Sequence, residues 1–177
     1  MKILKKRRLS LIIIILSLIF CINLGLNNGM VKAETILKTG ISKVENVPSG
    51  LFGTWRVAAV LKNTDSPQFF REKSADLWNL SRNNNVMNLN NPFTGASADL
   101  AVEFVKGNVV KFTKVGTSGD NKLVDTVEIT LDGDKFTGVN ILTLKTYSNG
   151  KVIKVQNAAY VLVGEKISGM SVIGKWG

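Results

Sequence analysis

The acidic side chain of Asp125 occupies the position in this chain that most suggests a binding role. It is spaced by two residues from Leu123 and Val127 and by four from Ile129, in a run that predicts a β-strand. Residues at this spacing point the same way, so Asp125 lies on the apolar face of that strand. A carboxylate on an apolar interior face is costly unless it is paired or hydrogen-bonded. Asp125 is therefore a candidate polar contact for a ligand. Alternatively, Asp125 lies at the solvent-exposed end of the strand, or a β-bulge turns its side chain outward.

Residues needed for most catalytic and metal chemistry are missing. The chain has no histidine, and its single cysteine, Cys21, lies in the N-terminal apolar run. These counts exclude Ser-His-Asp and Cys-His nucleophilic sites, and zinc, haem or iron–sulfur sites built on those ligands. Neither Gly-rich phosphate-binding motif occurs. We predict a protein that is not an enzyme and uses no metal or cofactor, with chemistry based on carboxylates as the alternative.

Two further polar clusters have simpler explanations. Asp132-Gly133-Asp134 resembles part of a calcium loop, but Lys135 follows directly and the run is too short to supply the ligands, so a hairpin turn is favoured. The amides of Asn83-Asn84-Asn85 would suit a sugar, yet asparagine is also common in turns. We expect residues 83–95 to form a long loop near one mouth of the fold.

More than half of the net positive charge lies in a predicted N-terminal targeting segment. Lys and Arg total 23 and Asp and Glu total 13, but six of the basic residues precede Glu34, which leaves a net charge of +4 for residues 34–177. A basic start, an apolar run and small residues ending at Ala33 predict a secretory signal over residues 1–33, cleaved after Ala33. We expect a secreted or periplasmic protein; an uncleaved signal would instead anchor it in a membrane. The scattered charge gives no reason to expect nucleic-acid binding.

The rest of the chain divides into a lead-in segment, residues 34–52, and a β domain, residues 53–177. No run has a sustained helical repeat, whereas segments rich in Val, Ile, Thr and Phe alternate with Gly, Asn and Asp turns. Short turns make consecutive strands antiparallel neighbours. An open sheet of eight or nine strands would leave two bare edges, so we predict closure into a small up-and-down barrel. The predicted strands are 53–62, 75–82, 85–90, 98–105, 108–116, 122–131, 134–147, 151–163 and 166–173.

The opening strand carries a recognisable motif. Gly53-Thr54-Trp55 followed by a strand meander resembles the secreted barrels of the lipocalin and avidin type, in which a G-x-W motif begins the first strand. The resemblance implies that Trp55 closes the base of the barrel and that an arginine late in the chain stacks on it. No arginine follows Arg82, so Lys166 or Lys175 would take that role. A second G-x-W, Gly174-Lys175-Trp176, stands at the C-terminus.

Two functions follow as expectations. The first is a lipocalin-like binding protein that holds a small apolar or amphipathic ligand inside the barrel. The second is a module that binds an extracytoplasmic protein or an envelope polymer through strands 134–147 and 151–163, which are apolar on both faces. The inward side chains predicted to contact the ligand are Val57, Val102, Phe104, Phe112, Asp125 and Val127.

Overall fold

The computed structural model describes residues 43–169, and within that range the chain forms a closed antiparallel barrel of eight strands. Each strand pairs with its predecessor, and the first also pairs with the last. The ring therefore has no bare edge. The strands are β1 Gly53–Thr64, β2 Lys73–Asn83, β3 Val86–Asn90, β4 Ser97–Lys106, β5 Val109–Ser118, β6 Asn121–Asp132, β7 Lys135–Ser148 and β8 Lys151–Ser168.

The predicted up-and-down meander is confirmed, and eight strands form it. The predicted strands 151–163 and 166–173 are one strand as far as Ser168, because pairing continues through Gly164 and Glu165 to the facing residues of β7. Residues 170–173, the C-terminal G-x-W and the predicted signal all lie outside the described residues.

Alternation of strand direction sorts the connections onto two ends. The lower end is where the chain enters β1 and where β2–β3, β4–β5 and β6–β7 are joined. The upper end carries the β1–β2 loop, residues 65–72, the β3–β4 loop, residues 91–96, and two tight turns. The Asn-rich region 83–95 is thus not one loop, because the strand predicted over residues 85–90 forms within it as β3. Asn84, with φ of 52°, makes a turn at the lower end, β3 follows, and only residues 91–96 reach the upper end.

The described part of the lead-in segment covers the lower end. It forms two 3₁₀ turns, Lys43–Asn46 and Ser49–Leu51, whose apolar side chains join the barrel core. Lys43 Nζ donates to the carbonyl oxygen of Glu103 on β4 at 2.7 Å. This segment packs at the barrel base and against β4, so its described part leaves the outer faces of β7 and β8 exposed.

A β-bulge in β4 overturns one predicted inward residue. Val102 pairs with Phe112, and the next pair joins Phe104 to Lys111, so Glu103 is an extra residue on its strand. One extra residue reverses the facing of everything that follows it. Phe104 is consequently 45% exposed on the outside, and Val105 takes its place against the core. The prediction that Phe104 faces the interior is wrong for this reason.

Candidate functional site

The lower end is sealed by the motif that opens β1. Gly53 has φ of 134°, and a Cβ built on it would lie 2.4 Å from the carbonyl oxygen of Ser168, so only glycine fits there. Trp55 is 0% exposed, and its Nε1 donates to the carbonyl oxygen of Leu51 at 2.8 Å. This bond ties the lead-in segment to the indole and satisfies a buried carbonyl.

A lysine completes the seal. Lys166 Nζ lies 5.2 Å from the centroid of Trp55 and donates to the carbonyl oxygen of Gly50 at 2.5 Å. Burial lowers the pKa of Lys166, while the charge of Asp134 acts in the opposite direction. A cation over an indole is attracted by the ring quadrupole, so Lys166 clamps both the ring and the lead-in segment.

Large side chains fill the interior directly above this seal. The rings of Trp55 and Phe136 have centroids 5.0 Å apart, and those of Phe136 and Trp78 are 6.1 Å apart. Gly164 leaves room for Phe136, because a Cβ there would lie 2.2 Å from the ring. The lower half of the barrel is therefore a packed core with little space for a ligand.

Four of the predicted apolar contacts face the interior. Val57, Phe112 and Val127 are buried in the core, and Val102 is half-buried and packs against it. Phe112 pairs with both Val102 and Val127, so these three residues form one continuous wall across β4, β5 and β6. Val57 lies apart from them on β1.

Asp125 also points inward, and the structure places its partners beside it. Lys114 Nζ on β5 lies 3.0 Å from Asp125 Oδ2, and the amide of Asn140 on β7 donates to Asp125 Oδ1. The side chain of Asp125 is 10% exposed and that of Lys114 is 30% exposed. A partly buried ion pair of this kind is a weak source of stability, because both charges lose hydration. Its presence on the interior wall suits the recognition of a polar group.

Asp76 is a carboxylate near the upper end of the barrel that the sequence reading missed; it shares the facing of Trp78 but is exposed to solvent. It pairs with Val57 across β1 and β2, and its Oδ1 accepts hydrogen bonds from the Leu77 backbone N–H and the Asn91 amide. Burial raises the pKa of Asp76, although the Leu77 bond and the charge of Lys114 oppose the rise. Its spacing of two residues from Trp78 on β2 would have predicted that Asp76 has the same facing as that buried ring. We call Lys114, Asp125, Asn140 and Asp76 the polar cluster.

The upper half of the interior differs from the lower half in its contact with solvent. Leu61, Leu123 and Leu142 are half-buried, although strand alternation turns each of them inward. Small residues stand among them, with Ala59 on β1 and Ala158 on β8. We call the inward face of this upper half, with its half-buried apolar residues and the polar cluster, the cup.

The β1–β2 loop lies over one side of this opening. Asp65 accepts two hydrogen bonds from Asn157 on β8, from the backbone N–H at 2.8 Å and from Nδ2 at 2.9 Å. These bonds hold the pKa of Asp65 below its ordinary range. At the other end of the loop, the carbonyl oxygen of Arg71 accepts a bond from the Tyr160 hydroxyl at 3.1 Å. Burial raises the pKa of Tyr160.

The outer surface carries an apolar patch. Val60 on β1, Val161 on β8 and Val139 on β7 are direct cross-strand neighbours, and each is 40–48% exposed. Val163 and Ile141 extend the patch. We call these five residues the outer patch; it gives β7 and β8 exposed apolar side chains on their outer faces.

The other polar motifs remain local. Asp132-Gly133-Asp134 joins β6 to β7, and Gly133 has the positive φ of 58° that such a hairpin turn favours. No group of three or more Asp or Glu residues that could hold a metal ion occurs within residues 43–169. In that same range, no helix has the length and hydropathy needed to cross a bilayer.

No known protein family, curated protein or solved structure matches this chain. The resemblance to lipocalin and avidin barrels therefore stays a prediction.

Proposed function

We propose that this protein binds a small amphipathic molecule in the upper half of its barrel. The observation that carries the proposal is the contrast between the two halves of the interior. Inward residues near the seal, such as Trp55 and Phe136, are fully covered, whereas Leu61, Leu123 and Leu142 face inward and keep contact with solvent. Eight-stranded barrels are wide enough either to be filled by side chains or to hold one small ligand.

The chemistry of the cup supports a ligand with one apolar and one polar part. Apolar ligand pockets in proteins combine hydrophobic walls with a few placed polar groups. Here Leu61, Leu123 and Leu142 supply the apolar part, and Asp125 of the Lys114–Asp125 pair is the cross-strand neighbour of Leu142. A purely apolar ligand would gain nothing from the pair, so an amphipathic one suits the cup better.

Two adjacent alanines give a matched test. Ala59 faces the cup and Ala58 faces solvent, and they are neighbours in β1. Binding of a neutral solvatochromic dye is measured by fluorescence titration for the wild type and for Ala59→Phe and Ala58→Phe. We expect Ala59→Phe to weaken binding at least about tenfold, because its ring occupies the cup, and Ala58→Phe to bind as the wild type does. Equal binding by both variants would place the dye outside the barrel and overturn the proposal.

Export from the cytoplasm is part of the proposal. It is supported by the charged start, the apolar run and the small residues before Glu34. N-terminal sequencing of the protein recovered from its native host is expected to begin at Glu34. A protein that begins at Met1 and fractionates with membranes would instead support an N-terminal anchor.

A second function is favoured by the outer patch. The patch spans three strands, and contiguous exposed apolar surface of this kind commonly marks a protein contact. An extracytoplasmic protein or envelope polymer would bind there without using the cup. Val161→Ser would then abolish a complex or self-association detected by analytical ultracentrifugation, while dye binding stayed unchanged.

A further inference from the structure

Within the described residues, the amide nitrogen of a buried glutamine on β8 has no hydrogen-bond partner. Gln156 is 2% exposed, and within residues 43–169 no group bonds to its Nε2 atom. Strand alternation turns Gln156 inward together with Ala158 and Tyr160, on the side of the barrel nearest the β1–β2 loop. A buried donor without a partner is unfavourable, because it has lost its hydrogen bonds to water. Such a cost is uncommon in a folded protein unless the group serves another purpose.

The surroundings of Gln156 belong to the cup. Its cross-strand neighbour is Leu144, which is half-buried on β7. Asn157, the next residue along β8, is the anchor to which Asp65 fastens the β1–β2 loop. The amide therefore lies at the upper end of the interior, beneath the point where the loop is held.

A cation stands on the same side of β8. Lys154 shares the facing of Gln156, and its Nζ lies 4.2 Å from the centroid of Phe69 in the β1–β2 loop. Both groups are hydrogen-bond donors. In contrast, the Lys114 charge is already matched by Asp125 and influenced by Asp76. The Gln156 amide and the Lys154 ammonium on β8 thus favour a ligand oxygen that accepts hydrogen bonds. Lys114 in the polar cluster is already paired with Asp125, so it does not compete for that oxygen.

We propose that Gln156 is the head-group contact of the cup, and that the ligand presents to it an oxygen that accepts a hydrogen bond, such as a hydroxyl, carbonyl or carboxylate. This inference rests on the proposed function, since it names the polar end of the ligand that the cup holds. An alkylammonium head, which donates and does not accept, would leave the Gln156 Nε2 donor without an acceptor and would lie near the Lys154 charge.

Three probes of equal chain length test the assignment: 1-decanol, decanoate and decylammonium. Their binding is measured by displacement of the neutral dye from the wild type, from Gln156→Leu and from Gln68→Leu. Gln68 is the matched control, because it is an exposed glutamine in the β1–β2 loop. Leucine has a similar size to glutamine and removes the donor, so Gln156→Leu is expected to fold and to unfold at a higher temperature than the wild type.

We expect the wild type to bind decanol at least about tenfold more tightly than decylammonium. Gln156→Leu should lose about tenfold in decanol affinity, and Gln68→Leu should lose none. A decanoate affinity above that of decanol would identify the anion as the better head group, and the reverse order would identify a neutral oxygen; both support the assignment. Equal decanol binding by the wild type and Gln156→Leu would overturn it while leaving the cup intact. If neither the dye nor any probe binds the wild type, the proposed function fails as well.

Discussion

The packing of Gly164 against Phe136 gives the sharpest test of how the barrel base is built. A Cβ at Gly164 would lie 2.2, 2.4 and 2.6 Å from three carbons of the Phe136 ring. Carbon atoms in contact are normally about 3.5–4.0 Å apart, so the ring would have to move by more than about 1 Å. It has little room, because Phe136 is 1% exposed and is held between Trp55 and Trp78.

Gly164→Ala is therefore expected to destabilise the protein by about 3 kcal/mol, at the upper end of the usual cost of overpacking. For a domain of this size that corresponds to a fall in Tm of about 10 °C. Thermal and urea unfolding followed by circular dichroism measure both quantities. Val163→Ala is the control, because that neighbouring side chain faces solvent in the outer patch and its loss should cost less than about 0.5 kcal/mol.

A second substitution separates this contact from a general intolerance of β8. Phe136→Leu alone should cost about 2 kcal/mol, because it removes buried ring atoms. In the double variant the smaller side chain makes room for the new methyl group, so the combined loss should be about 2 kcal/mol less than the sum of the single losses. Additive losses, or a Gly164→Ala protein as stable as the wild type, would refute the view that Gly164 exists to accommodate the ring.

Three more outcomes follow from the described contacts. Trp55→Phe should cost about 2–3 kcal/mol in urea unfolding, because it removes buried volume and leaves a buried carbonyl without its donor; a loss below about 0.5 kcal/mol would contradict the seal. Asp125→Ala should cost about 2 kcal/mol by leaving Lys114 unpaired, whereas the pair Lys114→Met and Asp125→Leu should be tolerated and bind the neutral dye at least as well. The hydrogen bonds between Asp65 and Asn157 lower the pKa of Asp65, so they should be complete above the ordinary carboxyl pKa of 3.8 and weaken as the pH falls below it. The NMR amide shift of Asn157 should therefore titrate with a midpoint below 3.8. A midpoint at or above that value would be inconsistent with these bonds.

Much of the barrel follows from local patterns in the chain. Turns at Asp132-Gly133 and Asn149-Gly150 have residues that tolerate positive φ, and the strands between them alternate with a period of two. Those features predict both the antiparallel order and the inward facing of Asp125 and Trp55. The same alternation applied to β2 would also have identified Asp76.

Phe104 and Gln156 show where such patterns stop. No residue type near Glu103 predicts a β-bulge, yet the bulge there reverses the direction in which the remaining side chains of β4 point. Gln156 lies in a run whose alternation predicts its direction, but no sequence pattern tells whether a buried amide finds a partner. That depends on atoms brought close by pairing between β7, β8 and the β1–β2 loop.

The sequence alone determined that this protein is an antiparallel barrel with a sealed base, because strand period, turn chemistry and the Gly53–Trp55 motif are all encoded within a few neighbouring residues. Tertiary structure decided which half of the interior is packed and which is open, and it brought Lys114, Asp125 and Asn140 together from three strands. The physical reason is that backbone preference acts over a few residues, whereas packing and electrostatics depend on residues that the closed ring places side by side from distant parts of the chain.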